Sequence, residues 1–399
     1  MGAISAAGIG AAPLWHAVRD GRSAVGPVQM QREVANRVKI AAQVRDFDPA
    51  DFIAAASMPA LDRFSQFALV AAVEAVVQAG LGDAGALGAR TAVIIGTGMG
   101  GATTIDDQHH RFYALGQRPE TLAIPRTMCN AAASHVSTRF GATGPVFAVS
   151  SACASATQAI GLGATLVRSG VVDRAIVGGS EAMITPSVFA AWEMLRVLTP
   201  DRCRPFSKKR NGMVLGEGAG VFVLESAETA LVPALAEIAG YGTTSDARDL
   251  VRPDPAGAAA CMQAALDDAG LDPHGLDYIN AHGTGTVAND ATETEALRRV
   301  FGDALAGIAV SSSKPVHGHA LGAAGALELV VTIMALREGM VPPTLNCEEP
   351  DPACTIDMVP GEARAKLIRA AMSNSFAFGG INASLIVRAA GIVRAAGAR

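Results

Sequence analysis

The chain has 399 residues, half of them apolar and only 17% charged, with 32 Lys and Arg against 37 Asp and Glu. The formal charge of −5 argues against nucleic-acid binding as a main role, and the length exceeds a usual single core, so two domains or one duplicated domain are expected. The longest apolar stretches, near 67–80 and 320–336, are broken by Glu74 and Glu328, so neither reads as a membrane span.

In chain order, strand-like runs occur at 91–96, 145–150, 174–178, 219–225, 277–280, 308–312, 369–375 and 383–388, and helical patterns at 63–80, 154–168, 256–269, 291–301 and 322–338. This alternation predicts an α/β fold of parallel-type sheets covered by helices. The tail from Gly391 to Arg399 is expected to be loosely held. Six scattered cysteines lack paired or metal-like spacing, and the apolar N-terminus has no basic leader, which reads as a reduced cytoplasmic protein. The run Gly96-Thr-Gly98-Met-Gly-Gly101 matches a dinucleotide-binding turn after a strand. The following residues give no clear apolar helix face, and no second strand ends suitably downstream, so nucleotide binding is set aside.

Cys153 stands where the strand at 145–150 runs into small residues and then a helix. A thiol at a strand-to-helix turn faces unpaired N–H groups and the helix dipole, both of which favour thiolate. Two histidine loops lie downstream. Asn280-Ala-His282-Gly-Thr284-Gly-Thr286 and Ser311-Ser-Ser-Lys314-Pro-Val-His317-Gly-His319 each follow a strand, with glycine beside the ring. A nucleophile with two nearby bases or donors is the parts list for acyl-group chemistry.

These motifs resemble the Cys-His-His set of the β-ketoacyl-acyl-carrier-protein synthases, most closely the synthase II type. Gly178-Gly-Ser-Glu-Ala-Met, Gly212-Met-Val-Leu-Gly-Glu-Gly-Ala-Gly220 and Ser373-Asn-Ser-Phe-Ala-Phe-Gly-Gly-Ile-Asn382 extend the match over essentially the whole chain. Ala191-Trp-Glu-Met-Leu-Arg-Val-Leu-Thr and His317 resemble the nodulation-type subgroup. The resemblance implies the thiolase fold, two similar halves in a five-layer α-β-α-β-α sandwich, divided here into 1–226 and 227–399. It also implies a homodimer that condenses an acyl-cysteine with malonyl-acyl-carrier protein, without a cofactor or metal.

Carried onto this sequence, the resemblance makes Cys153 the nucleophile and His282 and His319 the pair that stabilises the enolate after decarboxylation. Lys314 and Glu328 become the supporting ion pair, Phe378 an oxyanion N–H and gate, and Phe376 a second gate aromatic. Thr284 and Thr286 would hold the pantetheine arm, and Met99 and Ala123 the blind end of the acyl channel. Family members open with an apolar strand, of which Met1–Ser5 looks like the end alone, so the first strand is expected to be missing and a sheet edge exposed. Ala377 replaces a usual glycine, which predicts a stiffer gate. Position 58–61 lacks the basic residues that help dock the acidic carrier, and Arg202, Arg204, Lys208, Lys209 and Arg210 are the candidate substitute. A non-catalytic chain-length partner of an active synthase would typically lack the nucleophile. A degradative thiolase would need a second cysteine where Phe376-Ala-Phe378 stands.

Overall fold

The structure, a computed structural model, describes residues 1–32, 35–82 and 86–390, so the expectation for the tail from Gly391 lies outside the described residues. Two sheets carry the chain. The first runs Gly8–Ile9, Gly2–Ser5, Gly218–Glu225, Arg174–Glu181, Thr91–Gly96, Val146–Val149. The second runs Ala309–Ser311, Tyr278–Asn280, Ala370–Ala377, Ile381–Arg388, Glu237–Ser245.

Leaving aside Gly8–Ile9 and counting the strands of each sheet in chain order, both sheets read 3-2-4-5-1. In both, strand 2 is parallel to 3 and 4, and strand 5 is antiparallel to 4 and 1. The same order with the same polarities is a repeated topology, although no repeat is visible in the sequence. The sheets are therefore mixed, not purely parallel as the alternation suggested. In the second sheet the reason is local: Ala370–Ala377 and Ile381–Arg388 are joined by three residues, a connection too short for a parallel crossover.

The segment read as the end of a strand is itself a strand, Gly2–Ser5. Gly2–Ser5 pairs along its length with Gly218–Val221, and Gly8–Ile9 covers its other edge. Glu74, the residue that interrupts an apolar helix, accepts from Ala3 N–H at 2.9 Å and Ala11 N–H at 3.0 Å and so fixes this strand and the helix after it.

Helices Arg63–Gln78 and Ala131–Phe140 cover the outer face of the first sheet, and Pro255–Ala269 and Val287–Phe301 cover that of the second. Helices Ser155–Arg168 and Ala324–Glu338 lie between the sheets, giving five layers. The second of these central helices has buried residues on every side, as its nearly uniform apolar composition requires. Burial of its leucines and valines contributes roughly 1.5–3 kcal/mol each relative to exposure. Among the described helices, none is long and apolar enough to cross a membrane.

Candidate active site

Strand 3 of each half leads through a loop into one turn of 3-10 helix and then a central helix. In the first half the turn is Ala152–Ala154 before Ser155–Arg168; in the second it is Leu321–Ala323 before Ala324–Glu338. The first residue of each turn has a left-handed backbone, φ 49° at Ala152 and 37° at Leu321. Such conformations cost of order 1–3 kcal/mol and cluster at functional sites.

Cys153 is the middle residue of the first turn and is buried. Its Sγ lies 3.0 Å from Nε2 of His319, and the His319 and His282 rings meet edge to face with centroids 5.3 Å apart. Sγ and one nitrogen of each ring lie within 4.8 Å of one another. These atoms are of metal-ligand type, but the Lys314 ammonium beside them opposes a cation. The three predicted catalytic side chains are thus brought together from three separate loops.

The electrostatics differ from the expectation for a thiol at a helix start. Burial outweighs every other influence and pushes the Cys153 thiol up to about 12, against a smaller lowering by Lys314. Burial also drives His282 and His319 well below the ordinary histidine range, with Lys314 adding to the effect on each. At neutral pH the site holds a neutral thiol and two neutral imidazoles.

Lys314 is ion-paired to Glu328, and both are fully buried. The lysine also donates to the His282 carbonyl, and its Nζ lies 3.4 Å from His282 Nδ1. An ammonium cannot accept, so His282 Nδ1 must, which leaves the hydrogen on Nε2 facing the pocket. Nδ1 of His319 is buried without a partner among the described residues, so its tautomer is not pinned in the same way. Burial raises Glu328 to about 7, with Lys314 the main opposing influence.

The sequence reading missed three buried carboxylates that hold these loops. Glu293, in the second turn of the helix after the His282 loop, accepts from His282 N–H and Gly283 N–H, each at 2.8 Å. Asp290 accepts from Phe206 N–H at 2.8 Å and Gly285 N–H at 3.2 Å. Glu181 accepts from Gly98, Met99 and Gly322 N–H at 2.6, 3.1 and 2.9 Å. Acidic residues in segments of otherwise buried character were the available signal. Glu181 also explains the glycine-rich decoy: a helix, Ala102–His109, does follow that turn, but an internal carboxylate already occupies the N–H groups a phosphate would use.

One cleft reaches Cys153, His282 and His319, and it is lined also by Thr284, Thr286, Phe376 and Phe378. Thr284 and Thr286 hydroxyls lie 3.0 Å apart, and Thr286 also caps the helix Val287–Phe301. Phe376 packs beside the His282 ring, with centroids 6.1 Å apart. Met99 and Ala123 do not line this cleft; Met99 is 38% exposed and Ala123 is buried at the start of a short helix. His317 is buried with Nε2 2.9 Å from Ser313 Oγ, directed at a hydroxyl in place of the thiol.

The basic run at 202–210 does not stand free. Arg204 pairs with Asp201, Arg202 with Glu348, Lys209 with Glu349 and the buried Arg210 with Asp351, which leaves Lys208 without an ion pair among the described residues.

Known proteins resemble this chain over most of its length. The family model "Beta-ketoacyl synthase, N-terminal domain" matches residues 1–230, and "Beta-ketoacyl synthase, C-terminal domain" matches 235–348. Nodulation protein E of Rhizobium sp. (strain N33) is 44% identical over 392 residues, covering 97% of each chain. A 3-oxoacyl-[acyl-carrier-protein] synthase 2 of Synechocystis sp. is 38% identical over 397 residues, covering 96% of this chain and 95% of the relative. The solved ishigamide ketosynthase/chain length factor superposes with a TM-score of 0.93 at 35% identity, covering 98% of both chains.

Proposed function

The chain belongs to the β-ketoacyl synthase family and has its thiolase fold, and from that premise we propose the reaction its residues run: condensation of an acyl group held on Cys153 with malonyl-acyl-carrier protein. Cys153 Sγ attacks the acyl thioester while its proton moves to His319 Nε2, 3.0 Å away. A neutral thiol raised this far needs such a base, since thiolate is scarce at neutral pH. The backbone N–H groups of Cys153 and Phe378 hold the oxyanion. The carrier's pantetheine leaves as a thiol, taking the proton from His319.

A malonyl thioester then enters, its pantetheine arm held by Thr284 and Thr286. His282, with hydrogen on Nε2, and His319, whose unpinned ring first moves its hydrogen from Nδ1 to Nε2, donate to the thioester carbonyl as carbon dioxide leaves and an enolate forms. The enolate carbon attacks the acyl-cysteine, the Cys153–acyl bond breaks, the released thiolate takes up one proton from solvent to return as the thiol, and a 3-oxoacyl thioester two carbons longer departs. Lys314 and Glu328 keep the His282 tautomer in place.

The contact between Cys153 Sγ and His319 Nε2 carries this reading. Incubation with octanoyl- and malonyl-acyl-carrier protein should give the ten-carbon 3-oxoacyl product, and cerulenin should label Cys153 alone; failure of both would overturn the assignment. A retained nucleophile disfavours a non-catalytic chain-length partner, and Phe376-Ala-Phe378 in place of a cysteine disfavours a degradative thiolase.

The division into halves is placed at Ser226, between strands Gly218–Glu225 and Glu237–Ser245. A homodimer is proposed because strand Val146–Val149 ends the first sheet, and exposed Phe112, Ile124 and Met128 belong to the same half. Acyl-carrier protein is the proposed partner, and the cytoplasm the proposed location. Met99 and Ala123 are kept as the proposed floor of the acyl channel, with Ala123→Phe expected to shift preference from a C16 toward a C8 primer. An unchanged ratio would remove Ala123 from the floor.

A further inference from the structure

The proposed gate aromatic, Phe378, sits in a three-residue turn between Ala370–Ala377 and Ile381–Arg388. Gly379 and Gly380 follow it with φ of 89° and 67°, values that only glycine adopts without strain. The turn is tied to an exposed neighbouring segment by two backbone bonds, Gly379 N–H to Leu250 O and Asp246 N–H to Gly380 O, both 2.8 Å. Neither bond fixes the phenyl ring itself.

The ring is held from another element. Trp192, near the end of helix Pro186–Met194, stacks on Phe378 with centroids 5.9 Å apart and planes inclined by 18°. Both rings line the cleft that reaches Cys153. The helix beneath is anchored by fully buried Phe189, and Glu193 accepts from Arg37 N–H at 2.8 and 3.0 Å, so Trp192 is presented from a fixed base. A rigid indole facing a ring on a glycine turn makes a latch: the rings can separate without disturbing either scaffold.

We propose that Trp192 is a positioning residue for the acyl-transfer half-reaction. By stacking on Phe378 it holds the turn so that the ring shields Cys153 and the Phe378 N–H faces the oxyanion. An acyl-pantetheine must part the rings to enter, and they close again around the tetrahedral intermediate. Malonyl decarboxylation, which uses His282 and His319, meets the latch only on entry and does not use the Phe378 N–H. This inference rests on the reading of Phe378 as gate and oxyanion donor.

The test uses the full-length protein and octanoyl-acyl-carrier protein, with acylation of Cys153 followed by mass spectrometry. Trp192→Ala should slow acyl transfer about three- to tenfold, the range expected for losing one aromatic pair. The same variant should speed alkylation of Cys153 by iodoacetamide and leave malonyl decarboxylation within about twofold. Trp192→Phe, which keeps a stacking face, should restore most of the acyl-transfer rate. Acyl transfer at the wild-type rate in Trp192→Ala, or equal loss of both half-reactions, would overturn the proposal.

A second measurement does not depend on that variant folding. The chain has two tryptophans and Trp15 is fully buried, so Trp15→Phe leaves Trp192 as the sole reporter. Its emission should change at the rate of Cys153 acylation; a signal that stays constant while Cys153 becomes acylated would overturn the latch. If Cys153 in the unmodified protein is never acylated, the condensation reading fails instead, which separates the two outcomes.

Discussion

The two corners where strand 3 enters a central helix have the same backbone and opposite contents. In the first half the corner Ala152-Cys153-Ala154 carries the proposed nucleophile; in the second, Leu321-Gly322-Ala323 carries no titratable or nucleophilic side chain. Gly322 occupies the position of Cys153, and a Cβ there would meet Gly98 N at 2.2 Å and Glu181 Oε2 at 2.6 Å. The second half instead places its chemistry in the loop before the corner, where Lys314, His317 and His319 stand. A repeated scaffold has thus been used once as a seat for a thiol and once as a close-packing point. The strained backbone, present in both, belongs to the scaffold and does not by itself mark the nucleophile.

If the first corner alone carries the nucleophile, Cys153→Ser should abolish condensation while the protein stays folded, measured as loss of 3-oxoacyl product with an unchanged circular dichroism spectrum. Residual elongation would break the comparison outright. The loops differ next. His282→Ala should depress malonyl decarboxylation by about 10²–10³-fold, the scale of one lost oxyanion donor. It should harm acyl transfer less than His319→Ala does, because His319 is the residue in contact with the thiol. Equal effects of the two changes on both half-reactions would remove the asymmetry drawn between the pinned and the unpinned ring.

The pH dependence sharpens the electrostatic side. With the folded thiol pushed up to about 12, the thiolate fraction is small and grows steadily between about pH 7 and 9. Alkylation of Cys153 by iodoacetamide should therefore rise about tenfold per pH unit over that window without levelling off. A plateau near pH 8 would mean that the helix start wins over burial. The smallest effect is expected at the silent corner. Gly322→Ala should lower stability by about 1–3 kcal/mol through overpacking, read as a lower urea midpoint. A neutral result there would mean the two corners are interchangeable.

Much of the site was legible before any tertiary information, because strand-to-helix turns and glycine-flanked histidines leave local signatures. Cys153, His282 and His319 stood out on neighbouring residues alone, and the long central helices were found within one or two residues of their starts. Strand Glu237–Ser245 was missed for a physical reason: Gly240 and Gly242 lower its strand signal, yet a Cβ at either would meet a backbone oxygen of helix Pro255–Ala269 at 2.2 or 2.1 Å. Helices Ala11–Arg19 and Pro186–Met194 went unread as well.

The sequence by itself pointed to Cys153, His282 and His319 and to most of the strands and helices around them, since turn chemistry and periodicity act over a few residues. Only the tertiary structure decided the mixed polarity of the sheets, the seat of the first strand against Gly218–Val221, and the stacking of Trp192 on Phe378. It also decided the ionisation of the site, because desolvation depends on everything packed around a group. Cys153 sits where local logic favours a thiolate, and the burial that reverses that preference is assembled from both halves of the chain.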